Sequence, residues 1–242
     1  MRRGGMASAS RTGAALLVLS GCLFSGALAQ TPDLEAGRAV VVGGEDGSIT
    51  PCFTCHGLDG VGDFAGAFPR LTEQAAFYMY KQLIDYASGA RPNEVMSPIA
   101  REMTEPQMAN VAFYYSVVGA AHARRPEVDP EVLEHGRKIA EDGLPEAGVQ
   151  ACNFCHGADG AGDPPLFPYL AGQYAPYTEL QLQRYRSGER ANDPLGVMRD
   201  IAQGMSDADI RAIASYFKWL RPGEDDSGEA TAGAREPARE GG

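Results

Sequence analysis

Two short segments of the chain carry cysteine and histidine at the same spacing, and both are residues whose side chains do chemistry. CFTCHGLDGVGD covers Cys52–Asp63, and CNFCHGADGAGD covers Cys152–Asp163. In each motif two thiols stand three positions apart, and a histidine follows the second thiol directly. Three positions make nearly one helical turn, so the two thiols can lie on one face of the chain. A glycine-rich loop follows each motif.

This spacing is compatible with three kinds of chemistry. Cysteine pairs can bind zinc, but one pair in each motif with an adjacent histidine makes a complete zinc site awkward. A redox dithiol of the thioredoxin type needs a βαβ context, which the sequence does not predict. Cys-x-x-Cys-His is also the attachment signature of c-type haem, and two copies at matching positions favour two covalent haem groups. The predicted thioether residues are Cys52, Cys55, Cys152 and Cys155, and the predicted axial histidines are His56 and His156.

The sixth ligand of each iron must come from elsewhere in its repeat. A methionine thioether is the soft ligand typical of an electron-transfer haem. Met96 aligns with Met198, and Met103 aligns with Met205. Met103 and Met205 stand at the entrance of a predicted helix, a position typical of core packing. Met96 and Met198 precede that helix on a stretch that we expect to be irregular, and we therefore predict these two as the axial ligands.

The axial histidines need support on their other ring nitrogen. Iron-bound histidine usually donates this N–H to a carbonyl or carboxylate oxygen. Pro69 and Pro168 follow the glycine-rich loops at matching positions, so we predict that their carbonyl oxygens accept these hydrogen bonds. A plain role in loop and core packing is the alternative. His122 and His135 have no counterpart in the other copy, which favours surface or helix positions over ligation.

The motifs belong to a longer internal repeat, because Phe68–Arg91 aligns with Phe167–Arg190 without a gap. Each copy predicts a short helix before the motif, a second helix that ends at Ser-Gly, and a capped last helix. Apolar residues recur in the last helix at i, i+3, i+4 and i+7, and no useful period-two alternation is present. The sequence therefore predicts an all-α protein of two similar small domains.

The two ends of the chain are predicted to lie outside the fold. Residues 1–29 combine three arginines, no acidic residue and an apolar run that ends in Ala-Leu-Ala, the pattern of a secretory signal peptide. Cys22 follows Leu-Ser-Gly, so a lipoprotein with a lipid anchor on Cys22 is the alternative. Residues 221–242 are poor in aromatic and β-branched residues, which predicts a disordered acidic tail.

The charge of the chain excludes one class of partner. It has 32 acidic and 21 basic residues, a net charge of −11 at pH 7. Binding to nucleic acid needs a basic footprint, which is missing here. An acidic surface instead favours partners that present a basic docking patch.

The repeated motifs resemble those of the dihaem cytochrome c4 family. The resemblance rests on tandem Cys-x-x-Cys-His-Gly-x-Asp-Gly-x-Gly, Phe-Pro-x-Leu-x-x-Gln and Ser-Gly-x-Arg in both copies. It implies two tandem class I cytochrome c domains related by a pseudo-twofold axis, each wrapped around a covalent haem with histidine and methionine ligands. The predicted segments are 31–123 for the first domain, 124–130 for the linker and 131–220 for the second domain.

The resemblance also implies electron transfer rather than enzymatic turnover, because protein ligands fill both axial positions of each iron. Members of the family carry single electrons in the periplasm, commonly from a cytochrome bc1 complex to a terminal oxidase, and many associate with the membrane. We therefore expect a periplasmic protein, soluble or held at the outer face of the inner membrane. The alternative is an electron-accepting subunit of an oxidoreductase, such as a flavocytochrome sulfide dehydrogenase. A dihaem peroxidase with an open haem is a third reading.

Overall fold

The computed structural model describes residue 1 and residues 31–44, 46–63 and 68–223. These residues form α-helices, two 3₁₀ helices at Pro145–Ala147 and Pro194–Gly196, and no strand beyond two isolated bridges. The α-helices are α1 Leu34–Val41, α2 Phe53–His56, α3 Ala76–Ser88, α4 Met96–Arg101, α5 Glu105–Val117, α6 Pro130–Asp142, α7 Asn153–His156, α8 Ala175–Ser187, α9 Val197–Gln203 and α10 Asp207–Trp219. The prediction of an all-α protein is confirmed.

The second five helices repeat the packing of the first five. In the first half α1 packs on α5, and α3 packs on α4 and α5. In the second half α6 packs on α10, and α8 packs on α9 and α10. The last helix of each half begins at the predicted cap, where the Thr104 N–H donates to Gln107 Oε1 and the Ser206 N–H donates to Asp209 Oδ2, both at 2.8 Å. These capping boxes satisfy backbone N–H groups that the helix itself leaves without partners.

Two glycines allow the first and last helices of each half to cross closely. A Cβ atom at Gly37 would lie 2.3 Å from the carbonyl oxygen of Asn110. A Cβ atom at Gly136 would lie 2.3 Å from the carbonyl oxygen of Ala212. Both distances are well inside van der Waals contact with backbone, so only glycine permits this helix pairing.

Gly136→Ala is expected to destabilise the protein. Alanine favours a helix over glycine by about 1 kcal/mol, but forcing a methyl group into a packed contact costs about 1–3 kcal/mol and here meets rigid backbone. The free energy of unfolding of the haem-loaded protein, measured in guanidinium chloride, should therefore fall. The matched control is Gly119→Ala, because nothing lies within 4 Å of a Cβ atom at that position. If Gly136→Ala and Gly119→Ala had equal free energies of unfolding, the close contact of α6 with α10 at Gly136 would be contradicted.

Each half has its own hydrophobic core, and the two sets of buried residues do not overlap. The first core contains Val40, Val41, Ile49, Met79, Tyr86, Ala100, Met103, Met108, Val111, Ala112 and Tyr115. The second contains Ile139, Ala140, Val149, Leu182, Tyr185, Ala202, Met205, Ile210, Ala212, Ile213, Tyr216 and Phe217. Two separate cores fit the repeat seen in the sequence, while the domain limits at 31–123 and 131–220 stay a prediction.

The structure differs from the sequence analysis at Met96 and Met198, because neither residue lies on an irregular stretch. Met96 begins α4, and Met198 is the second residue of α9. An upstream side chain starts each helix: the Met96 N–H donates to Asn93 Oδ1 at 2.7 Å, and the Met198 N–H donates to Asp193 Oδ2 at 2.9 Å. Asparagine and aspartate favour such local caps, which supply a partner for an N–H group of the first helical turn.

The two copies reach the same loop conformation with different residues. Gly172 has φ of 68°, a left-handed value that suits glycine, and the aligned Glu73 has φ of 67°. Glu73 accepts a hydrogen bond from the guanidinium of Arg70 at 2.9 Å, which helps to hold this unusual backbone conformation. The two loops therefore have the same left-handed backbone conformation at this aligned position.

The segments outside the two helical sets also differ from expectation at one point. Arg221, the first residue of the predicted tail, is buried, and its guanidinium donates to the carbonyl of Ala123 at 2.8 Å. Order therefore extends at least to this residue. The predicted signal peptide, Cys22 and residues 224–242 of the tail lie outside the described residues. No helix in the described part of the chain is long and apolar enough to cross a membrane.

Candidate haem sites

The two motifs form matching sites at the ends of α2 and α7. In the first half α2 begins directly after Cys52 and ends at His56, which is only 7% exposed. Nδ1 of His56 lies 3.1 Å from the carbonyl oxygen of Pro69. In the second half His156 is 6% exposed, and its Nδ1 lies 2.9 Å from the carbonyl oxygen of Pro168.

The glycine-rich loop brings the proline carbonyl back beneath the histidine. The Gly62 N–H donates to the carbonyl of His56 at 2.8 Å, and the Leu71 N–H donates to the carbonyl of Gly60 at 2.7 Å. Gly62 has φ of 80°, and a Cβ atom there would lie 2.6 Å from the Pro69 carbonyl oxygen. This position therefore needs glycine both for its backbone angle and for space.

The proline contacts decide which nitrogen of each imidazole carries the proton. A carbonyl oxygen only accepts, so Nδ1 carries the hydrogen and Nε2 carries the lone pair. Burial lowers the pKa of His56 and of His156, and the hydrogen bonds to the proline carbonyls only partly oppose it. Both rings are therefore neutral at pH 7, the form in which imidazole binds a metal ion.

None of the four motif cysteines forms a disulfide. Burial raises the pKa of Cys52 to about 11 and that of Cys152 to about 12, so both remain protonated at pH 7. A reactive dithiol requires a thiolate. In the described residues no group of three or more histidine, cysteine, aspartate or glutamate side chains could hold a metal ion. The raised pKa values of Cys52 and Cys152 disfavour the dithiol alternative.

The two pairs of aligned methionines have different surroundings. Met103 and Met205 are buried inside the two cores, with 8% and 4% of their surface exposed. Met96 and Met198 are only partly buried and pack against the core edges. Met103 and Met205 thus fill the two cores, and Met96 and Met198 remain the candidate iron ligands.

Comparison with known proteins assigns the family. The family model for cytochrome c matches residues 134–221. A thiosulfate dehydrogenase electron acceptor from Stutzerimonas stutzeri (strain A1501) is 41% identical over 178 residues, which cover 72% of this chain and 81% of that protein. A cytochrome c4 from Thiocapsa roseopersicina is 37% identical over 194 residues, which cover 79% of this chain and 94% of that protein. The chain belongs to the cytochrome c4 family.

Solved structures agree with this assignment. Reduced recombinant cytochrome c4 from Pseudomonas stutzeri matches with a TM-score of 0.68 and 32% identity, over 78% of this chain and all of that chain. A thiosulfate dehydrogenase from Marichromatium purpuratum matches with a TM-score of 0.72 and 36% identity, over 78% of this chain. That second match spans only 40% of the longer dehydrogenase chain.

As a member of this family, the protein is an electron carrier with two covalently bound haem c groups, and it is not an enzyme. The expected tandem class I cytochrome c fold is confirmed. The described residues fit this cofactor, because each motif offers two cysteines on one helical turn and a buried imidazole whose Nε2 is free of the proline contact.

Two arginines at the interface between the halves are functional candidates that were not predicted from the sequence. Arg91 and Arg190 are 5% and 4% exposed. The Arg91 guanidinium donates to Gln82 Oε1 at 2.8 Å and to Gln181 Oε1 at 2.7 Å. The Arg190 guanidinium donates to Gln181 Oε1 at 2.9 Å. The repeated Ser-Gly-x-Arg motif is the sequence signal that could have pointed to them.

This interface cluster holds buried positive charge. None of the ion pairs in the described part of the chain involves Arg91 or Arg190. Burial alone would raise the pKa of Tyr78, but the two guanidiniums outweigh burial and lower it. A buried cation is costly unless an anion accompanies it. The carboxylates of haem propionates are anions that would compensate the charge of Arg91 and Arg190.

The two remaining histidines contact residues other than the motif cysteines and histidines. His135 Nε2 lies 2.7 Å from Asp209 Oδ1, so it joins α6 to α10. His122 stacks on the ring of Tyr169, and its Nε2 lies 3.4 Å from Glu73 Oε2. Both contacts give these residues a structural role in packing.

Proposed function

We propose that each half binds its haem through the residues of its own motif. When bound, each haem supplies a reversible one-electron centre. The proposed thioether residues are Cys52, Cys55, Cys152 and Cys155, the proposed axial pairs are His56 with Met96 and His156 with Met198, and the proposed propionate partners are Arg91 and Arg190.

The surrounding residues have distinct tasks in this proposal. Pro69 and Pro168 fix the imidazole tautomer and orient the ring by accepting the Nδ1 proton in a hydrogen bond. Met96 and Met198 would each supply a sulfur ligand to the iron of their own half, which would keep water and small ligands from binding there. A thioether ligand favours the ferrous state, so it also raises the reduction potential.

The proposed electron donor is an exported dehydrogenase of the thiosulfate dehydrogenase class, and the proposed acceptor is a terminal cytochrome oxidase. The observation that carries this proposal is the 41% identity to a thiosulfate dehydrogenase electron acceptor over 178 residues. The match to part of a longer thiosulfate dehydrogenase chain, with a TM-score of 0.72, supports it. A dehydrogenase that takes two electrons from its substrate would reduce both haems of this protein by one electron each.

The test of this proposal is a comparison of electron donors by stopped-flow absorbance. The haem-loaded protein is mixed without oxygen with purified thiosulfate dehydrogenase and thiosulfate, or with a bc1-type complex and quinol. We expect the dehydrogenase to reduce it at least about tenfold faster, which corresponds to about 1.4 kcal/mol in the activation barrier. The rate should fall as salt is added, because an acidic carrier with a net charge of −11 is steered to a basic patch. A single-haem cytochrome c of similar potential serves as the control.

The second candidate is a carrier from a bc1-type complex to a terminal oxidase. The 37% identity to a cytochrome c4 over 94% of that protein favours it. Faster reduction by the bc1-type complex would replace the first proposal with this one. Equal and slow reduction by both donors would exclude both.

The proposed location is the periplasm, either free or at the outer face of the inner membrane. The leader-like residues 1–29 support export, and Cys22 offers a lipid-anchored alternative. The mass of the native protein from periplasmic and membrane fractions distinguishes cleavage after Ala29 from lipidation of Cys22.

A further inference from the structure

Two buried glutamines join the halves by reciprocal hydrogen bonds. Oε1 of Gln173, in the second half, accepts from the Arg70 N–H at 3.1 Å, and its Nε2 donates to the Arg70 carbonyl at 2.9 Å. Gln74, in the first half, accepts from the Tyr169 N–H at 2.9 Å and donates to the Tyr169 carbonyl at 3.0 Å. Each glutamine therefore clamps the backbone of one residue in the opposite half.

The clamped residues follow the prolines that contact the axial histidines. The Arg70 N–H and the Pro69 carbonyl belong to one peptide group, and that carbonyl lies 3.1 Å from Nδ1 of His56. The Tyr169 N–H and the Pro168 carbonyl likewise share a peptide, and that carbonyl lies 2.9 Å from Nδ1 of His156. A chain of two hydrogen bonds thus runs from each histidine through one peptide to a glutamine of the other half.

Hydrogen bonds in such a chain strengthen each other. A peptide whose N–H donates to an oxygen carries more negative charge on its carbonyl, and each bond in a chain gains about 10–30%. A stronger carbonyl acceptor draws the Nδ1 proton and makes the imidazole a more electron-rich ligand. Such a ligand stabilises ferric iron, so the reduction potential falls. The imidazole keeps its Nδ1 proton in both states, and only one electron is exchanged.

Burial strengthens the influence of the two glutamines on the peptide groups to which they are hydrogen-bonded. Gln74 and Gln173 are 8% and 7% exposed, so bulk water does not compete for these bonds. In a medium of low dielectric constant the polarisation of a peptide is felt more strongly than in water.

We propose that Gln173 lowers the reduction potential of the haem bound to His56, and that Gln74 lowers the potential of the haem bound to His156. Each glutamine is a positioning residue that acts across the interface on the haem of the other half. The inference rests on the proposed ligation by His56 and His156.

The experiment compares Gln173→Leu and Gln74→Leu in the haem-loaded full chain. An NMR redox titration follows the haem methyl signals of each half separately. With Gln173→Leu, the equilibrium constant for reduction of the first-half haem should rise about two- to threefold, or about 18–28 mV at 59 mV per tenfold. The second-half haem should shift less than half as much. Gln74→Leu should give the mirror-image result.

Two further variants control for general damage. Gln183→Leu changes an exposed glutamine of α8 in the same way and should shift neither haem. Gln173→Glu keeps an oxygen acceptor for the Arg70 N–H, so the first-half potential should stay unchanged or fall. If a leucine variant does not fold, the glutamate variant decides, and a rise in its first-half potential overturns the proposal.

The remaining outcomes separate this inference from the proposed ligation. A shift confined to the haem on the same half as the changed glutamine overturns the inference, as does no shift at all. Spectra of the unchanged protein test ligation independently. If either haem lacks an imidazole ligand there, the ligation itself is wrong, whatever the potentials of the variants.

Discussion

Replacing Met96 or Met198 by alanine is expected to remove the sulfur ligand from one haem and to leave the other unchanged. About half of the weak red absorption that reports a bond between sulfur and ferric iron should disappear in each single variant. The affected potential should fall by at least about 100 mV, or about 50-fold in the one-electron equilibrium constant, because the thioether favours ferrous iron. Carbon monoxide should then bind to the reduced form of that haem. Spectroelectrochemistry with and without carbon monoxide measures all three effects.

The matched controls are the aligned methionines of the cores. Met103→Leu and Met205→Leu conserve volume at buried positions, so each should cost less than about 1.5 kcal/mol of stability and keep the full red band. Loss of the band in either control would transfer the ligand role to that residue. Carbon monoxide binding to the unchanged protein would instead favour the open-haem reading.

Replacing Arg91 or Arg190 by methionine is expected to destabilise the haem-loaded protein by about 3–5 kcal/mol, because a buried propionate would lose its partner. The loss of a nearby positive charge should also lower the haem potentials. Guanidinium denaturation followed at the haem absorption band measures the first effect, and spectroelectrochemistry measures the second.

A matched control variant tests this prediction. The two guanidiniums share Gln181 as an acceptor, and each disfavours the charged form of the other. A variant that loses no more stability than the control would contradict a propionate at this cluster. The control is Arg137→Met, which removes a half-buried arginine paired with Glu134 on α6 and should change stability by less than about 1 kcal/mol.

The sequence by itself determined the features that depend on residues close together in the chain. Cys-x-x-Cys-His occupies a single helical turn, so its spacing alone indicates haem attachment, and its repetition indicates two haems. The capping boxes at Thr104 and Ser206 are equally local, and both last helices begin where the sequence predicted. Such local structures can be predicted from sequence because only a few backbone conformations allow residues at these spacings to make their contacts.

Other local features were predicted wrongly or only in part, for reasons that are also physical. Met96 and Met198 lie in short helices, because Asn93 and Asp193 cap them from three and five positions upstream. A helix of six or seven residues is too short for a helical period to reveal it. Arg221 is held by the carbonyl of Ala123, a contact that no composition rule for a polar tail would indicate.

The tertiary structure alone decided what joins the two halves. Arg91 reaches Gln181, and Gln173 reaches the backbone of Arg70, across about a hundred residues of sequence. Within its own copy, neither Arg91 nor Gln173 shows any sequence feature that identifies its partner in the other copy. Its partner depends on how two separate cores pack together, and that is set by the summed burial and hydrogen bonding of both surfaces rather than by any short pattern.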